Sequence, residues 1–192
     1  MDNEKKIILA IAVYAAIMVM VFHSIEVKAQ DPVKNAIAIN EERSHSLMVD
    51  EDVADFLVRS ADARMMYAQE GLLASRKGTD SLIREYGQRM MKDQSMLLEK
   101  IKTLATDRNV FLPSAISNRR IGGHQNLSEE TGKEFDEKFI KMIVTDHERD
   151  IKLFKKATQY KDPDVSAFAQ RYLPLIQSHL QQIKKIKTEL NY

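Results

Sequence analysis

Apolar residues recur at spacings of three and four along four stretches of the 192-residue chain, all of them after residue 49. This period is typical of amphipathic helices that bury one face. The pattern predicts helices over residues 50–78 and 79–107, a third helix from residue 131 and a fourth from residue 162. We therefore predict one all-α domain that occupies residues 50–192.

Local signals support these helix limits. Asp162 followed by Pro163 is a typical helix start, because the carboxylate accepts backbone hydrogen bonds and proline fits the first turn. Thr131, followed three residues later by Glu134, has the spacing of a capping box. Pro174 falls inside the last helix, where its ring removes one backbone hydrogen bond. We expect that helix to bend there.

The links between the predicted helices differ in length. Those near Gly78 and Lys161 are short, which favours two antiparallel hairpins, whereas residues 110–130 form a longer link. This is the layout of an antiparallel four-helix bundle with one long crossover, as in ferritin-like folds. We interpret the crossover, which contains Arg119 and Arg120, as a solvated loop. The alternative is a ligand-binding lid.

The first 29 residues have the pattern of a secretory signal peptide. Two lysines precede the uncharged residues 7–22, which as a helix would span about 24 Å, less than the roughly 30 Å of a bilayer core. Small residues at positions 27 and 29 fit cleavage before residue 30. The rival prediction is an uncleaved inner-membrane anchor over residues 7–22, and both place the folded part outside the cytoplasm. Residues 30–49 show no sustained period and are predicted to be a flexible tether.

The composition excludes several classes of function. The net charge is +1, from 29 basic and 28 acidic residues, so no excess positive field favours a nucleic-acid partner. The absence of cysteine excludes disulfide bonds, thiolate metal sites and a cysteine nucleophile. The sequence has no phosphate-binding glycine loop, nucleophile elbow or zinc protease motif. Hydrolase and kinase activities are therefore not expected.

Five polar residues fall on the inward faces of the predicted helices: Glu70, Asp93, Asp146, His147 and His179. Burying a charged group without a partner is costly, so each of them needs a partner or a role. Carboxylates and imidazoles that project inward from facing helices hold iron, manganese or zinc in bundle proteins. They can equally pair with one another, or with Arg64, Arg89 and Tyr172, in a structural polar network.

The positions of these five residues along the axes of the predicted hairpins indicate which of them could share a metal ion. A turn near residue 161 brings Asp146, His147 and His179 within about one helical turn, so they are candidate ligands for one divalent metal ion. A turn near residue 78 leaves Glu70 and Asp93 about 12 Å apart along the axis, too far to share an ion. The four predicted helices contain no Glu-x-x-His pair, the usual di-iron signature. The interpretations left open are a structural network, a mononuclear metal site and catalytic redox chemistry.

Two further patterns have an ordinary and a functional interpretation. Methionines in the first three predicted helices either fill the core or bind Cu(I), and they lie at positions 65, 66, 90, 91, 96 and 142. The last helix ends in Lys184, Lys185 and Lys187, which suit a helix carboxyl end or contact with anionic lipid. We favour core packing and a solvated helix end.

Several segments together resemble one known family: residues 89–94, 142–147 and 173–180, with Phe135-Asp136 and Leu112-Pro113. They are similar to the bacterial domain of unknown function numbered 4142, and the resemblance covers residues 52–190. It implies a ferritin-like helical bundle exported behind a signal peptide, since members are often described as predicted outer membrane proteins. The family has no settled activity, so the resemblance implies fold and compartment rather than function.

The chain departs from the family pattern at two places. The family typically has Asp-His in the second helix as well as the third, and here Gln94 replaces the first of these histidines. The family also favours glutamates just before the glycine of the first helix, where this chain has only Glu70. Of the candidate ligand residues in the family pattern, only Asp146, His147 and His179 are present in this chain. The resemblance therefore implies that any metal binding shared by relatives is weakened or lost here.

These observations lead to one prediction with two alternatives. We predict an exported, periplasmic or outer-membrane-associated bundle that acts as a non-enzymatic binding or stress-related component of the cell envelope, with an envelope protein or the membrane as partner. The first alternative is a metal store or oxidase that binds Fe, Mn or Zn through Asp146, His147 and His179. The second is a membrane-tethered interaction module held by residues 7–22.

Overall fold

The computed structural model describes residues 30–47 and 49–192, and these residues form six α-helices and no strand. The helices are α1 (Pro32–Leu47), α2 (Glu51–Lys77), α3 (Ser81–Asp107), α4 (Asn118–Glu129), α5 (Gly132–Ala157) and α6 (Pro163–Glu189). The all-α prediction is confirmed. A bundle of only four helices is not, because α1 and α4 lie beside the four long helices. The predicted signal segment and its alternative as an anchor lie outside the described residues.

The four long helices begin and end close to the predicted limits. Helix α2 packs along α3, and α5 packs along α6, as two hairpins. Asp50, Asp80 and Asp162 each accept a backbone hydrogen bond at the start of a helix, which stabilises α2, α3 and α6. The capping box at Thr131 is wrong, because this side chain makes no capping hydrogen bond and the next residue, Gly132, has a φ of +62°.

The predicted tether is wrong for residues 32–47, which form α1 and pack against α2. Ala36 is completely buried in this contact. Asn40 fixes α1 to the crossover: its amide nitrogen donates to the Phe111 carbonyl at 2.8 Å, and its amide oxygen accepts from the Phe111 N–H at 2.7 Å. The apolar period is weak because the buried stripe of α1 is narrow and includes this polar residue.

The crossover is also more ordered than a solvated loop, because residues 118–129 form helix α4. The backbone N–H of Ser117, directly before α4, donates to Asp62 on α2 at 2.8 Å. Leu127 is completely buried, and Ile116 lies in the same apolar cluster. Helix α4 was not predicted because its polar residues and two adjacent glycines leave no periodic apolar stripe in its sequence.

The interior consists of two apolar clusters with polar residues between them. One cluster surrounds the edge-on pair Phe56 and Phe154, whose ring centroids are 5.2 Å apart, and the other surrounds Phe135 and Phe139. Between them lies a set that we call the polar layer: Arg64, Gln94, His147, Asp150 and His179. Each of α2, α3, α5 and α6 contributes at least one residue to the polar layer.

Helices α2 and α3 approach each other closely at Gly71 and Gly87. A Cβ atom at Gly87 would lie 2.6 Å from the Gly71 carbonyl oxygen, and one at Gly71 would lie 2.7 Å from the Gly87 carbonyl oxygen. Only glycine fits at both positions. None of the helices that the structure describes is long and apolar enough to cross a membrane.

Candidate functional site

Arg64 and Asp150 form a buried ion pair in the polar layer. Arg64 is fully buried and donates from Nη2 to Asp150 Oδ2. Its guanidinium also lies over the Tyr67 ring, at 5.1 Å, and over the Phe154 ring, at 5.5 Å. The Nε and Nη1 atoms of Arg64 and the Oδ1 atom of Asp150 have no hydrogen-bond partner among the described residues. The pair is therefore buried but only partly satisfied.

The two inward histidines lie side by side in the polar layer. Their ring centroids are 5.8 Å apart and the rings are inclined by 23°. His147 Nδ1 lies 3.0 Å from the Ile143 carbonyl oxygen, so we assign the proton to Nδ1, which leaves Nε2 as a lone pair without a partner in the described chain. His179 Nε2 lies 2.9 Å from Asp93 Oδ2 and carries the proton there, while its Nδ1 faces the Gln94 amide nitrogen at 3.5 Å.

Burial keeps both imidazoles neutral. Desolvation lowers the pKa of His147 well below its usual value, and the neighbouring His179 and Arg64 lower it further. Desolvation also lowers the pKa of His179, although the hydrogen bond to Asp93 acts in the opposite direction. In an unfolded chain a histidine has a pKa of about 6.5. Acid therefore favours the unfolded state, in which these histidines bind protons that they do not bind in the folded state.

We expect the free energy of unfolding to fall by up to about 1.4 kcal/mol per pH unit below pH 6.5 for a histidine that stays neutral in the folded state. The stability contribution of neutral His147 is complete above pH 6.5 and is lost as the pH decreases. Urea unfolding at several pH values between 7 and 5 gives the free energy of unfolding as a function of pH. This free energy should fall less steeply with decreasing pH for His147→Gln than for the wild type. His45→Gln, at an exposed position, is the control. Equal slopes for wild type and His147→Gln would contradict this assignment.

The three predicted metal ligands do not meet. Asp146 points away from the histidines: its Oδ1 accepts from Arg149 at 2.7 Å, and its Oδ2 lies 3.6 Å from Arg120. Adjacent residues of a helix are separated by about 100°, so Asp146 and His147 lie on different faces of α5. In the described residues no group of three or more His, Cys, Asp or Glu side chains could hold a metal ion.

The structure instead brings Asp93 to His179, across the contact between α3 and α6. Heights within each hairpin do not reveal this pairing, because Asp93 and His179 belong to different hairpins. Glu70 lies apart from both histidines, beside Asp146 and Arg120. The residues present thus fit a structural polar network and do not fit a site with Asp146, His147 and His179 as joint ligands.

A surface cleft of about 690 Å³ lies beside the polar layer, and we call it the cleft. Its walls come from α1, α2, the start of α4, and α5. Tyr67 and Asp150 line the cleft and also contact Arg64, so the cleft lies directly outside the buried ion pair. Its apolar lining consists of Val33, Ile37, Ala63, Tyr67 and Leu153.

Basic side chains surround the apolar lining of the cleft. Lys34, Arg119 and Lys152 are exposed, and within the described residues none of them forms an ion pair. Arg120 is held more firmly: its Nε donates to Asp62 at 2.9 Å, and its guanidinium lies 5.5 Å from the centre of the Tyr67 ring. In the sequence, Arg119 and Arg120 were assigned only to the crossover, because α4 was not predicted.

A smaller pocket of about 220 Å³, which we call the inner pocket, adjoins the cleft. The two share Arg119, Arg120, Asp146 and Arg149. The remaining lining comes from Met66, Glu70, Gly123 and Met142. Burial raises the pKa of Glu70 to about 8, with a further increase from Asp146 and a decrease from Arg120. The Glu70 carboxyl group is therefore protonated at neutral pH.

Comparison with known proteins agrees with the fold. The crystal structure of a DUF305 fragment from Deinococcus radiodurans has a TM-score of 0.66 and covers 73% of this chain and 98% of its own. The sequence identity is 8%, so the likeness concerns the fold alone. No curated protein matches the chain. The model of the family described as Domain of unknown function (DUF4142) matches residues 39–186, and the chain therefore belongs to this family.

Proposed function

We propose that the chain is a non-enzymatic binding protein of the cell envelope that holds a small amphipathic anion in the cleft. One observation carries the proposal: three basic side chains without ion-pair partners in the described chain surround an apolar lining. Binding sites for small molecules are concave and mostly apolar, with a few polar groups that set orientation. The cleft volume of about 690 Å³ lies within the range of such sites.

The charge of the cleft favours an anionic ligand over a cation. Seven lysine and arginine side chains line it, against four aspartates: Asp31, Asp62, Asp146 and Asp150. The two best-buried of these aspartates are already paired, Asp62 with Arg120 and Asp150 with Arg64. Lys34, Arg119 and Lys152 form no ion pair within the described residues, although Lys34 interacts at longer range with Asp31 and Lys152 with Glu148. Their donor groups are therefore available to an anionic ligand.

The apolar lining favours a ligand with a hydrocarbon part. Contact with apolar surface contributes about 25 cal/mol for each Å² removed from water. Guanidinium and ammonium groups at the rim suit a carboxylate or phosphate head. An alkyl chain with one anionic head combines both features, and such molecules occur in a bacterial envelope.

The non-enzymatic role is supported by the placement of the two inward histidines. His147 and His179 are buried in the polar layer and take up hydrogen bonds with Ile143 and Asp93. Neither lines the cleft or the inner pocket. The envelope compartment rests on the pattern of residues 1–29 and on the resemblance to exported family members. The mass of the amino-terminal peptide in protein isolated from the envelope distinguishes a cleaved signal peptide from an anchor.

Calorimetric titration with dodecanoate, below its micelle concentration, tests the binding proposal. We expect the wild type to bind and the Arg119→Gln/Lys152→Gln variant to bind at least about tenfold more weakly, because each lost charged contact costs about 1.5 kcal/mol. Lys100→Gln/Lys187→Gln removes the same charge at exposed positions outside the cleft, so it should bind like the wild type.

Three results would overturn the proposal. The first is no heat of binding with the wild type, and the second is equal weakening in both double variants. The third is near-stoichiometric iron, manganese or zinc in protein purified without chelators or a His tag, lost in His147→Ala/His179→Ala. That result would favour the alternative of a metal store or oxidase.

A further inference from the structure

The inner pocket has a chemical character that the cleft as a whole does not share. Three guanidinium groups, from Arg119, Arg120 and Arg149, line it against the single carboxylate of Asp146. Arg119 has no ion-pair partner in the described chain, and the Arg149 side chain is 53% exposed although it contacts Asp146. The pocket therefore offers positive charge with free donor capacity in a volume of about 220 Å³.

Glu70 is the unusual member of this pocket. It is 1% exposed, and its Oε2 atom is buried without a hydrogen-bond partner among the described residues. An unpaired buried polar atom is costly, so native proteins usually supply a partner for it. The terminal torsion of a glutamate is broad, so its carboxyl group can turn toward an oxygen atom in the pocket.

We propose that the inner pocket binds the carboxylate head of the ligand, with contacts from Arg119, Arg120, Arg149 and the Glu70 carboxyl group. This proposal rests on the proposed function and assigns one end of the ligand to a defined place. The hydrocarbon part then lies in the adjoining cleft, which shares three of these four contact residues. Met66 and Met142 line the inner pocket and pack against those carbon atoms of the ligand that lie next to its carboxylate head.

The protonation of Glu70 decides whether it attracts or repels such a head group. Its pKa of about 8 means that it carries a proton at neutral pH and donates an O–H hydrogen bond to the carboxylate. The groups that face it are Tyr86 on α3, Arg119 and Arg120 on α4, and Asp146 and Arg149 on α5. Burial raises the pKa of Tyr86 further above its usual value, so its hydroxyl group stays protonated between pH 6.5 and pH 9. The pKa of Glu70, about 8, lies within this range.

Dodecanoate titrations of the full chain at pH 6.5, 7.5 and 9 test this assignment. The ligand stays ionised over the whole range. About one Glu70 in ten remains protonated at pH 9, so we expect wild-type affinity to fall about tenfold from pH 6.5 to pH 9. Glu70→Gln keeps an N–H donor and does not titrate, so its affinity should change less than twofold. Glu99→Gln, on an exposed part of α3, should follow the wild type.

The outcomes separate the two proposals. Binding with the same pH dependence in wild type and Glu70→Gln overturns the inner-pocket assignment and leaves the proposed function intact. No dodecanoate binding by the wild type at any pH overturns both. Dodecanol, which has the same chain and a neutral head, should bind at least about tenfold more weakly than dodecanoate at pH 6.5. Equal affinity for dodecanol overturns both proposals, because neither the cleft nor the inner pocket would then select an anion. Circular dichroism at each pH verifies that Glu70→Gln is folded.

Discussion

Replacement of Asp150 by alanine is expected to lower the free energy of unfolding by about 3–5 kcal/mol. Asp150 is the carboxylate partner of Arg64, which is completely buried. Without it, the buried guanidinium has no counter-ion and retains only its contacts with Tyr67 and Phe154. A loss of this size exceeds the usual cost of a point mutation. Urea unfolding at pH 7.5 measures it.

Two further variants test the explanation. Asp55→Ala removes the partner of Arg59, a pair whose side chains are about half exposed, and should cost less than about 1 kcal/mol. Arg64→Met/Asp150→Leu removes both charges together and should recover most of the stability lost in Asp150→Ala, because no uncompensated charge is left behind. A double variant as unstable as Asp150→Ala would mean that packing volume, rather than the unpaired charge, explains the loss.

Replacement of Gly87 by alanine is expected to cost about 1–3 kcal/mol, although alanine is the better helix former. The new Cβ atom would lie 2.6 Å from the Gly71 carbonyl oxygen and 2.8 Å from the Ser75 backbone nitrogen. Backbone atoms cannot rotate away as the end of a side chain can. Helices α2 and α3 must therefore move apart, which loosens the most extensive helix contact in the described structure.

Gly122→Ala is the matched control, since this glycine also lies inside a helix but a Cβ atom there would meet nothing within 4 Å. We expect it to raise the free energy of unfolding by about 0.5–1 kcal/mol through helix propensity alone. Thermal unfolding of both variants provides the comparison. A gain in stability for Gly87→Ala would show that α2 and α3 tolerate a larger separation.

The long helices were predictable because each carries a complete apolar stripe and, at three of the four starts, a working aspartate cap. Helices α1 and α4 were not, and the reason is physical. Helix α1 buries Ala36 and the amide of Asn40, and α4 buries Leu127. Such narrow contacts leave almost no periodic signal, so tertiary packing determines these two helices more than their own sequences do.

The candidate site was also predictable only in part from the sequence. The sequence identified five inward polar residues, and three of them, Glu70, His147 and His179, are buried almost completely. It did not identify their partners, because the partner of a side chain depends on how each helix is rotated about its own axis. Asp146 is directed toward Arg120, a residue of the unpredicted α4, and this contact is absent from any argument built on four helices.

The polar layer also fixes the relative heights of the four long helices. Apolar side chains attract one another without strong directional preference, so the two apolar clusters alone would tolerate a slip of one helix by a turn of about 5.4 Å. Such a slip would separate His179 from Asp93, or Arg64 from Asp150, and leave the buried His179, Arg64 and Asp150 side chains without these partners among apolar neighbours. The layer therefore selects a single helix register, a role for which buried polar groups are well suited even where they add little stability.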